Sequence, residues 1–262
     1  MNLLGSGGFK DHFSASAAAY RRSRPGYPDG LFAWLAGLPA AGERNATAWD
    51  CGCGNGQASI GLARHVGHVI ATDPSAGQVA RAAAHPRIRY LAAPAERTPI
   101  AADSIDLVVA AQAAHWFDID AFYREVRRVA RPGAVVALIT YGPLRASGTL
   151  DTVLSDIYHG PVNAHWPPER AHVEAGYRTL PFPFAEIAPP VFAMRARWPM
   201  ERLVDYISTW SAVKVYREAT GTDPIPEARA RIADAWGDPM RRREIRWPLS
   251  LRVGHVHGDG MV

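Results

Sequence analysis

Trp49-Asp50-Cys51-Gly52-Cys53-Gly54-Asn55-Gly56-Gln57 decides the fold, together with Val69-Ile70-Ala71-Thr72-Asp73 a short distance on. The apolar approach from Ala46 to Trp49 predicts a short buried strand. It ends in a carboxylate, then glycines at alternate positions, then Gln57 to Ala63 with helical spacing. Strand, glycine turn and helix start in succession make a place where a ligand can touch bare backbone. Asp73 closes a second strand 19 residues after Gly54. A βαβ unit delivers a carboxylate to a ribose diol at about that spacing. The unit suits a nucleoside-bearing cofactor.

Outward from that unit, apolar runs alternate with helical ones. Upstream, Phe13 to Arg22 reads as a short helix, and Asp29 as a cap for Leu31 to Leu38. Downstream, strands are predicted at Ala46–Asp50, Val66–Thr72, Arg87–Leu91, Ser104–Ala110 and Ala134–Thr140. Helices fall at Gln57–His65, Ser75–Ala84 and Asp120–Ala130, and Arg131-Pro132-Gly133 turns the chain into the fifth strand. This alternation means a parallel, doubly wound sheet with right-handed crossovers. From 142 to about 185 the chain is rich in Pro, His and aromatics, and no strand is evident. Regular structure resumes with Val191–Trp198, helices at Glu201–Val215 and Glu227–Trp236, and a last strand at Glu244–Val253. The insertion follows the fifth strand at the carboxyl edge of the sheet, where open α/β folds bind ligands, and is assigned to substrate recognition.

The chain of 262 residues, 48% hydrophobic and 21% charged, is of a size for one substantial core. Its net charge is +4, and the only lysines are Lys10 and Lys214. Basic residues do not interleave with aromatics as a nucleic-acid surface requires, so nucleic acid is not an expected partner. The only cysteines, Cys51 and Cys53, lie within the glycine turn, where a C-x-C pair has poor zinc spacing. They read as small fillers of a crowded turn, and no metal site is expected. The sequence shows neither a signal peptide nor an 18-residue apolar run, which predicts a soluble, cytoplasmic protein with no membrane partner. A monomer or weak homodimer is expected.

The glycine turn admits two cofactor classes. A dinucleotide needs G-x-G-x-x-G, but counting from Gly52 or Gly54 places Gln57 or Ser59 at the third position. Asp50, just before the turn, would also repel a diphosphate. It suits a cofactor presenting an ammonium group, as S-adenosylmethionine does beside a sulfonium, a carboxylate and a ribose diol.

In Asp50-Cys51-Gly52-Cys53-Gly54-Asn55-Gly56, Thr72-Asp73-Pro74-Ser75, Pro94-Ala95-Glu96, Asp106-Leu107-Val108-Val109, His115-Trp116-Phe117 and Arg131-Pro132-Gly133, the chain resembles class I S-adenosylmethionine-dependent methyltransferases of the type-11 group. The likeness is greatest to the branch around trans-aconitate methyltransferase and similar small-molecule methyltransferases. Trp166-Pro167-Pro168-Glu169-Arg170 and Trp247-Pro248-Leu249-Ser250-Leu251-Arg252 extend it over nearly the whole chain. The resemblance implies a Rossmann-like, seven-stranded, mostly parallel sheet with helices on both faces. It also implies one methyltransferase domain over 1–262: an N-terminal cofactor-covering segment (1–30), a cofactor-binding core (31–141), a substrate-side insertion (142–190) and C-terminal strands and helices (191–262).

The same resemblance implies roles for individual residues. Asp50, Gly52 and Gly54 would line the methionine end of the cofactor. Asp73, with Pro74 beside it, would take the ribose hydroxyls. The backbone N–H of Ala95 would meet adenine, and Pro94 stands where many relatives carry an Asp, leaving Glu96 as its substitute. Gln112 would sit beside the methionine portion, and Tyr20 and Arg24 would close over the cofactor. His115, Trp116, Tyr158, His165 and Trp166 would face a small-molecule acceptor. A carboxylate acceptor needs no base, whereas a hydroxyl needs one, and His115 is the candidate. Asp73 can equally bond the start of the next helix, Tyr158 and its neighbours can form a small satellite core, and Glu169-Arg170 can be a surface pair. Two other classes of function remain open: an NAD(P)-dependent oxidoreductase, and a non-catalytic binder of S-adenosylmethionine.

Overall fold

The computed structural model describes residues 25–42 and 45–256. Helix α1 (Asp29–Ala36) is followed by β1 (Thr47–Cys51), α2 (Gln57–Leu62), β2 (His68–Asp73), α3 (Ala76–Ala80), β3 (Ile88–Ala92) and β4 (Ile105–Ala111). A 3-10 turn (Ala114–Trp116), α4 (Ile119–Val129) and β5 (Ala130–Tyr141) complete the first half. The second half holds α5 (Thr149–His159), α6 (Arg170–Glu174), β6 (Ala185–Glu186), β7 (Ala193–Trp198), α7 (Met200–Ser208), α8 (Ser211–Thr220), α9 (Ile225–Trp236) and β8 (Arg243–His255).

The sheet runs β3-β2-β1-β4-β5-β8-β6, with β7 paired to β8 off that path. Strands β1 to β5 pair in parallel and β8 lies antiparallel to β5. This is the Rossmann-like, mostly parallel sheet expected, with eight strands in place of seven. The additional strand is β6, two residues long and too short to leave a pattern in the sequence. Strand order reverses between β1 and β4, so the carboxyl ends of these two strands open a crevice.

Both faces of the central strands β1, β4 and β5 are covered, which is why those strands are continuous apolar runs, whereas edge strand β3 is partly exposed. Ala48, Leu107, Val109, Val135 and Ala137 pack toward α1 and α2, where Leu31, Phe32, Leu35 and Leu62 are buried. Trp49, Val108, Ala110, Val136 and Leu138 pack on Phe122, Tyr123 and Val126 of α4. A third core holds Tyr158, Trp198, Tyr206, Trp210, Trp236 and Trp247 beneath the insertion and the C-terminal helices. Strand β8 joins this layer to the sheet: Arg243 to Pro248 pair with β7, and Leu249 to His255 pair with β5.

Several boundaries differ from the sequence reading, each for a local reason. Asp29 does not cap α1. Pro28 does, and the Asp29 carboxylate in the first turn reaches His65 (3.0 Å) and Arg64 (3.4 Å). Strand β5 starts at Ala130, because the register shift between Ile105 and Leu107 absorbs Pro132-Gly133. The single helix expected over Glu201–Val215 is two, α7 and α8. Trp210 has extended backbone (φ −65°, ψ 136°) and its side chain enters the core. The insertion, expected to be helical and loop with no strand evident, contains α5 and α6 and, near its end, the two-residue β6. The helix expected over Phe13 to Arg22 lies outside the described residues.

Helices α1 and α2 touch at Gly61, where an added Cβ would lie 2.0 Å from Cε2 of the buried Phe32 ring. Gly61→Ala is therefore expected to destabilise the protein by roughly 1–3 kcal/mol through overpacking. Phe32→Leu in the same chain should recover part of that loss. Urea unfolding of the two variants and the parent gives the comparison, and an unchanged midpoint for Gly61→Ala would contradict this packing.

Candidate active site

The crevice begins where β1 ends. Gly52, Gly54 and Gly56 all take positive φ (69°, 54° and 86°), a region closed to most side chains. A Cβ at Gly52 would meet Ala113 Cβ at 2.5 Å, and one at Gly56 would meet Tyr90 Oη at 2.3 Å. Gly54 differs: nothing lies within 4 Å of where its Cβ would be, so its bare backbone borders open space.

Asp73, at the end of β2, holds this turn. Its Oδ2 accepts from Gly54 N–H at 2.8 Å, and its Oδ1 accepts from Ser75 N–H at 2.9 Å. Ser75, not Asp73, caps α3, its side chain accepting from Gln78 N–H. Pro74 lies between the two. The loop after β3 joins through Ala93 N–H, which donates to the Asp73 carbonyl at 3.1 Å. Two residues on, Ala95 is buried, and Glu96 accepts from Asp118 N–H at 3.0 Å.

Asp50 is fully buried. In strand register it aligns with Ala71 and Tyr90, so it shares the α2 side of the sheet. Oδ2 accepts from Ser59 Oγ at 2.5 Å, and Oδ1 has no hydrogen-bond partner among the described residues. Burial above all, with the nearby charge of Asp73, pushes Asp50 up to about 7 despite the Ser59 bond. Burial likewise pushes the Cys51 and Cys53 thiols far up, which suits their reading as fillers. Among the described residues no group of three His, Cys, Asp or Glu could hold a metal ion.

The far wall rises from β4. Gln112 takes φ 55°, and its amide bridges to β5: Oε1 accepts from Thr140 Oγ1 at 2.5 Å, and Nε2 donates to the Tyr141 carbonyl at 3.1 Å. The 3-10 turn then presents His115 and Trp116, rings 4.8 Å apart, with Trp116 41% exposed. His115 Nδ1 lies 2.8 Å from the hydroxyl of Tyr177, a fully buried residue from the insertion. Burial, then the charges of Arg170 and His172, bring His115 down to about 3, so the ring is neutral.

The insertion residues divide. Tyr158 is buried in the third core, its ring 5.1 Å from Trp166 and 5.5 Å from Trp210. Its hydroxyl donates to Glu174 Oε1 at 2.6 Å and accepts from Arg170 Nε at 2.8 Å. His165 turns away against Tyr216, 5.3 Å off. Arg170 has Glu174 as its ion-pair partner at 3.9 Å, rather than the neighbouring Glu169. Sequence reasoning gave Arg170 no site role and missed Tyr177 altogether. An arginine amid aromatics was a visible sign for the first; the second had none. Tyr20 and Arg24 lie outside the described residues.

This geometry has known counterparts. Residues 49–138 match the family model described as a methyltransferase domain. A solved structure from Anaeromyxobacter dehalogenans, assigned as a type II methyltransferase, is 48% identical with a TM-score of 0.84, covering 89% of this chain and 98% of that one. A Dictyostelium discoideum protein assigned as a methyltransferase is 27% identical over 231 residues, 87% of each chain. Over 96 residues, 36% of each chain, a malonyl-[acyl-carrier protein] O-methyltransferase of Dechloromonas aromatica is 38% identical. The chain belongs to the class I S-adenosylmethionine-dependent methyltransferases. The dinucleotide oxidoreductase reading is set aside accordingly.

The residues present fit the cofactor. Among the described residues Asp50 Oδ1 is a buried acceptor without a donor, as an ammonium group would require, and Gly54 leaves room for close approach.

Asp50 also sets a pH dependence. Its folded pKa, about 7, stands above its unfolded value near 4, so between those limits the native state keeps a proton that the unfolded chain has lost. Its contribution to stability is complete below pH 4 and declines as pH rises through 7, by up to about 4 kcal/mol. Asp50→Asn cannot show this decline. Unfolding free energies of both proteins at pH 4.5 and pH 8 provide the check, and parallel pH profiles would refute the assignment.

Proposed function

We propose that this methyltransferase moves a methyl group onto an oxygen, of a carboxylate or a hydroxyl, in a small-molecule acceptor. Bound S-adenosylmethionine supplies a sulfonium methyl, and an O–methyl bond forms in line as the sulfur–methyl bond breaks with its electron pair left on sulfur. Residues 31–141 hold the cofactor and 142–190 recognise the acceptor. Asp50, Gly52 and Gly54 border the methionine end, Asp73 with Pro74 the ribose, Ala95 and Glu96 the adenine, and Gln112 closes the crevice from β4.

On the acceptor side stand His115, Trp116 and Trp166. The observation that carries the reading is the neutral His115, fixed by Tyr177 at the carboxyl edge of β4. A group with a pKa of about 3 takes a proton from a hydroxyl poorly, so this site favours an acceptor that arrives already ionised. His115 then serves to orient the acceptor through its second ring nitrogen. Tyr158 and His165 support the insertion from behind. The malonyl O-methyltransferase resemblance agrees with an oxygen acceptor.

Two variants separate the halves of the site. Asp73→Ala should weaken S-adenosylhomocysteine binding by roughly 1–3 kcal/mol in a calorimetric titration. His115→Ala should leave that affinity within about twofold while lowering turnover at least about tenfold. Turnover is read with methyl-labelled S-adenosylmethionine against a panel of carboxylic acids and alcohols. Equal losses of binding and turnover in His115→Ala, or neither, would reject its placement.

A further inference from the structure

Arg170 enters the acceptor side of the crevice from α6, which packs on the 3-10 turn carrying His115 and on β5. Its guanidinium lies over Trp166, 4.9 Å from the ring centroid, and beside Tyr158 at 5.6 Å. Nε donates to Tyr158 Oη at 2.8 Å. The two terminal nitrogens make no hydrogen bond among the described residues. The side chain is only 20% exposed, so this is not a solvated surface arginine. Its one ion-pair partner among the described residues, Glu174, stands 3.9 Å away on the Nε side and is itself engaged by Tyr158.

The Arg170 charge acts on His115, where after burial it helps keep the ring neutral. A half-buried guanidinium, oriented by stacking and one hydrogen bond, with a free pair of donors, is prepared for bidentate recognition of a planar anion.

We infer that Arg170 is the anion receptor of the acceptor site, and that the acceptor is a carboxylic acid held by its terminal guanidinium nitrogens against Trp166. The inference rests on the acceptor-side reading given above and narrows it to one class of molecule. Neither an alcohol nor an amine satisfies both donors. A carboxylate does, with its apolar body along the aromatic rings and its charge offsetting the cation beside His115.

The test measures acceptor binding in the enzyme saturated with S-adenosylhomocysteine, using benzoate, its neutral isostere benzamide, and succinate as probes. Wild type should bind benzoate or succinate roughly tenfold or more tightly than benzamide. Arg170→Gln should abolish that preference while S-adenosylhomocysteine affinity changes by less than about twofold. Arg170→Lys should keep part of it, because the charge stays and the fork is lost. Glu174→Gln removes the neighbouring acid and should strengthen anion binding, a gain that a poorly folded variant cannot mimic. Failure of the wild type to bind either acid, equal affinity for benzoate and benzamide, or undiminished benzoate binding in Arg170→Gln would each overturn the inference. Failure of S-adenosylhomocysteine to bind the wild type would overturn the cofactor reading instead.

Discussion

One carboxylate fixes the arrangement on which the crevice depends. Asp73 accepts a backbone N–H from Gly54 on one oxygen and from Ser75 on the other, so the end of β2 grips both the glycine turn and the entry to α3. Charge-assisted bonds to backbone are among the stronger hydrogen bonds, and this pair is largely shielded from water. With Gly54 held from below, its open side is turned outward. The grip also has a cost. Asp73 adds its charge to the desolvation that keeps Asp50 from ionising readily, and among the described residues one Asp50 oxygen has no donor. Two acids crowded against one turn are relieved by a cation, which connects the fold's local strain to the cofactor it uses.

The opposite wall depends on the insertion. After α6, Gly176 and Tyr177 both take φ 61° and reverse the chain. Gly176 is required there, since a Cβ would lie 2.8 Å from Ser250 Oγ. Tyr177 pays for the same conformation without the excuse of being glycine, at a cost of roughly 1–3 kcal/mol. Its compensation is full burial and the contact to His115. Strand β8 anchors the whole layer, because its first half belongs to the helical core and its second half to the main sheet. The insertion is thereby built on the same sheet as the glycine turn.

Much of this was legible in the sequence, and what was not has physical reasons. The central parallel strands show because they are apolar runs buried on both faces. The glycine turn shows because only glycine tolerates those dihedrals. The burial of Asp50 was also there to be found: it has the strand parity of Ala48, which faces the helical layer, and Ser59 lies in the first turn of that helix. Helix α5 was concealed by the prolines and histidines around it, although Leu150, Leu154, Ile157 and Tyr158 form one buried stripe. The pairing of His115 with Tyr177 spans 62 residues and obeys no periodicity. Only the folded insertion brings them together, and the same holds for Arg170.

The crevice is electrically asymmetric. Asp50 and Asp73 stand at the end bordered by β1 and β2, while Arg170 acts on the end bordered by β4 and the insertion. His115 on that side is neutral, held so by burial first and by the Arg170 charge second. In a partly desolvated site such charges act over several ångströms with far less screening than in water. S-adenosylmethionine, with its sulfonium and ammonium, is drawn to the acidic end, and on the proposed reading an ionised acceptor is drawn to the guanidinium at the other. On that reading the two reactants meet without any group having to change its protonation, in keeping with a wall made of a weakly basic imidazole, aromatic rings and a guanidinium.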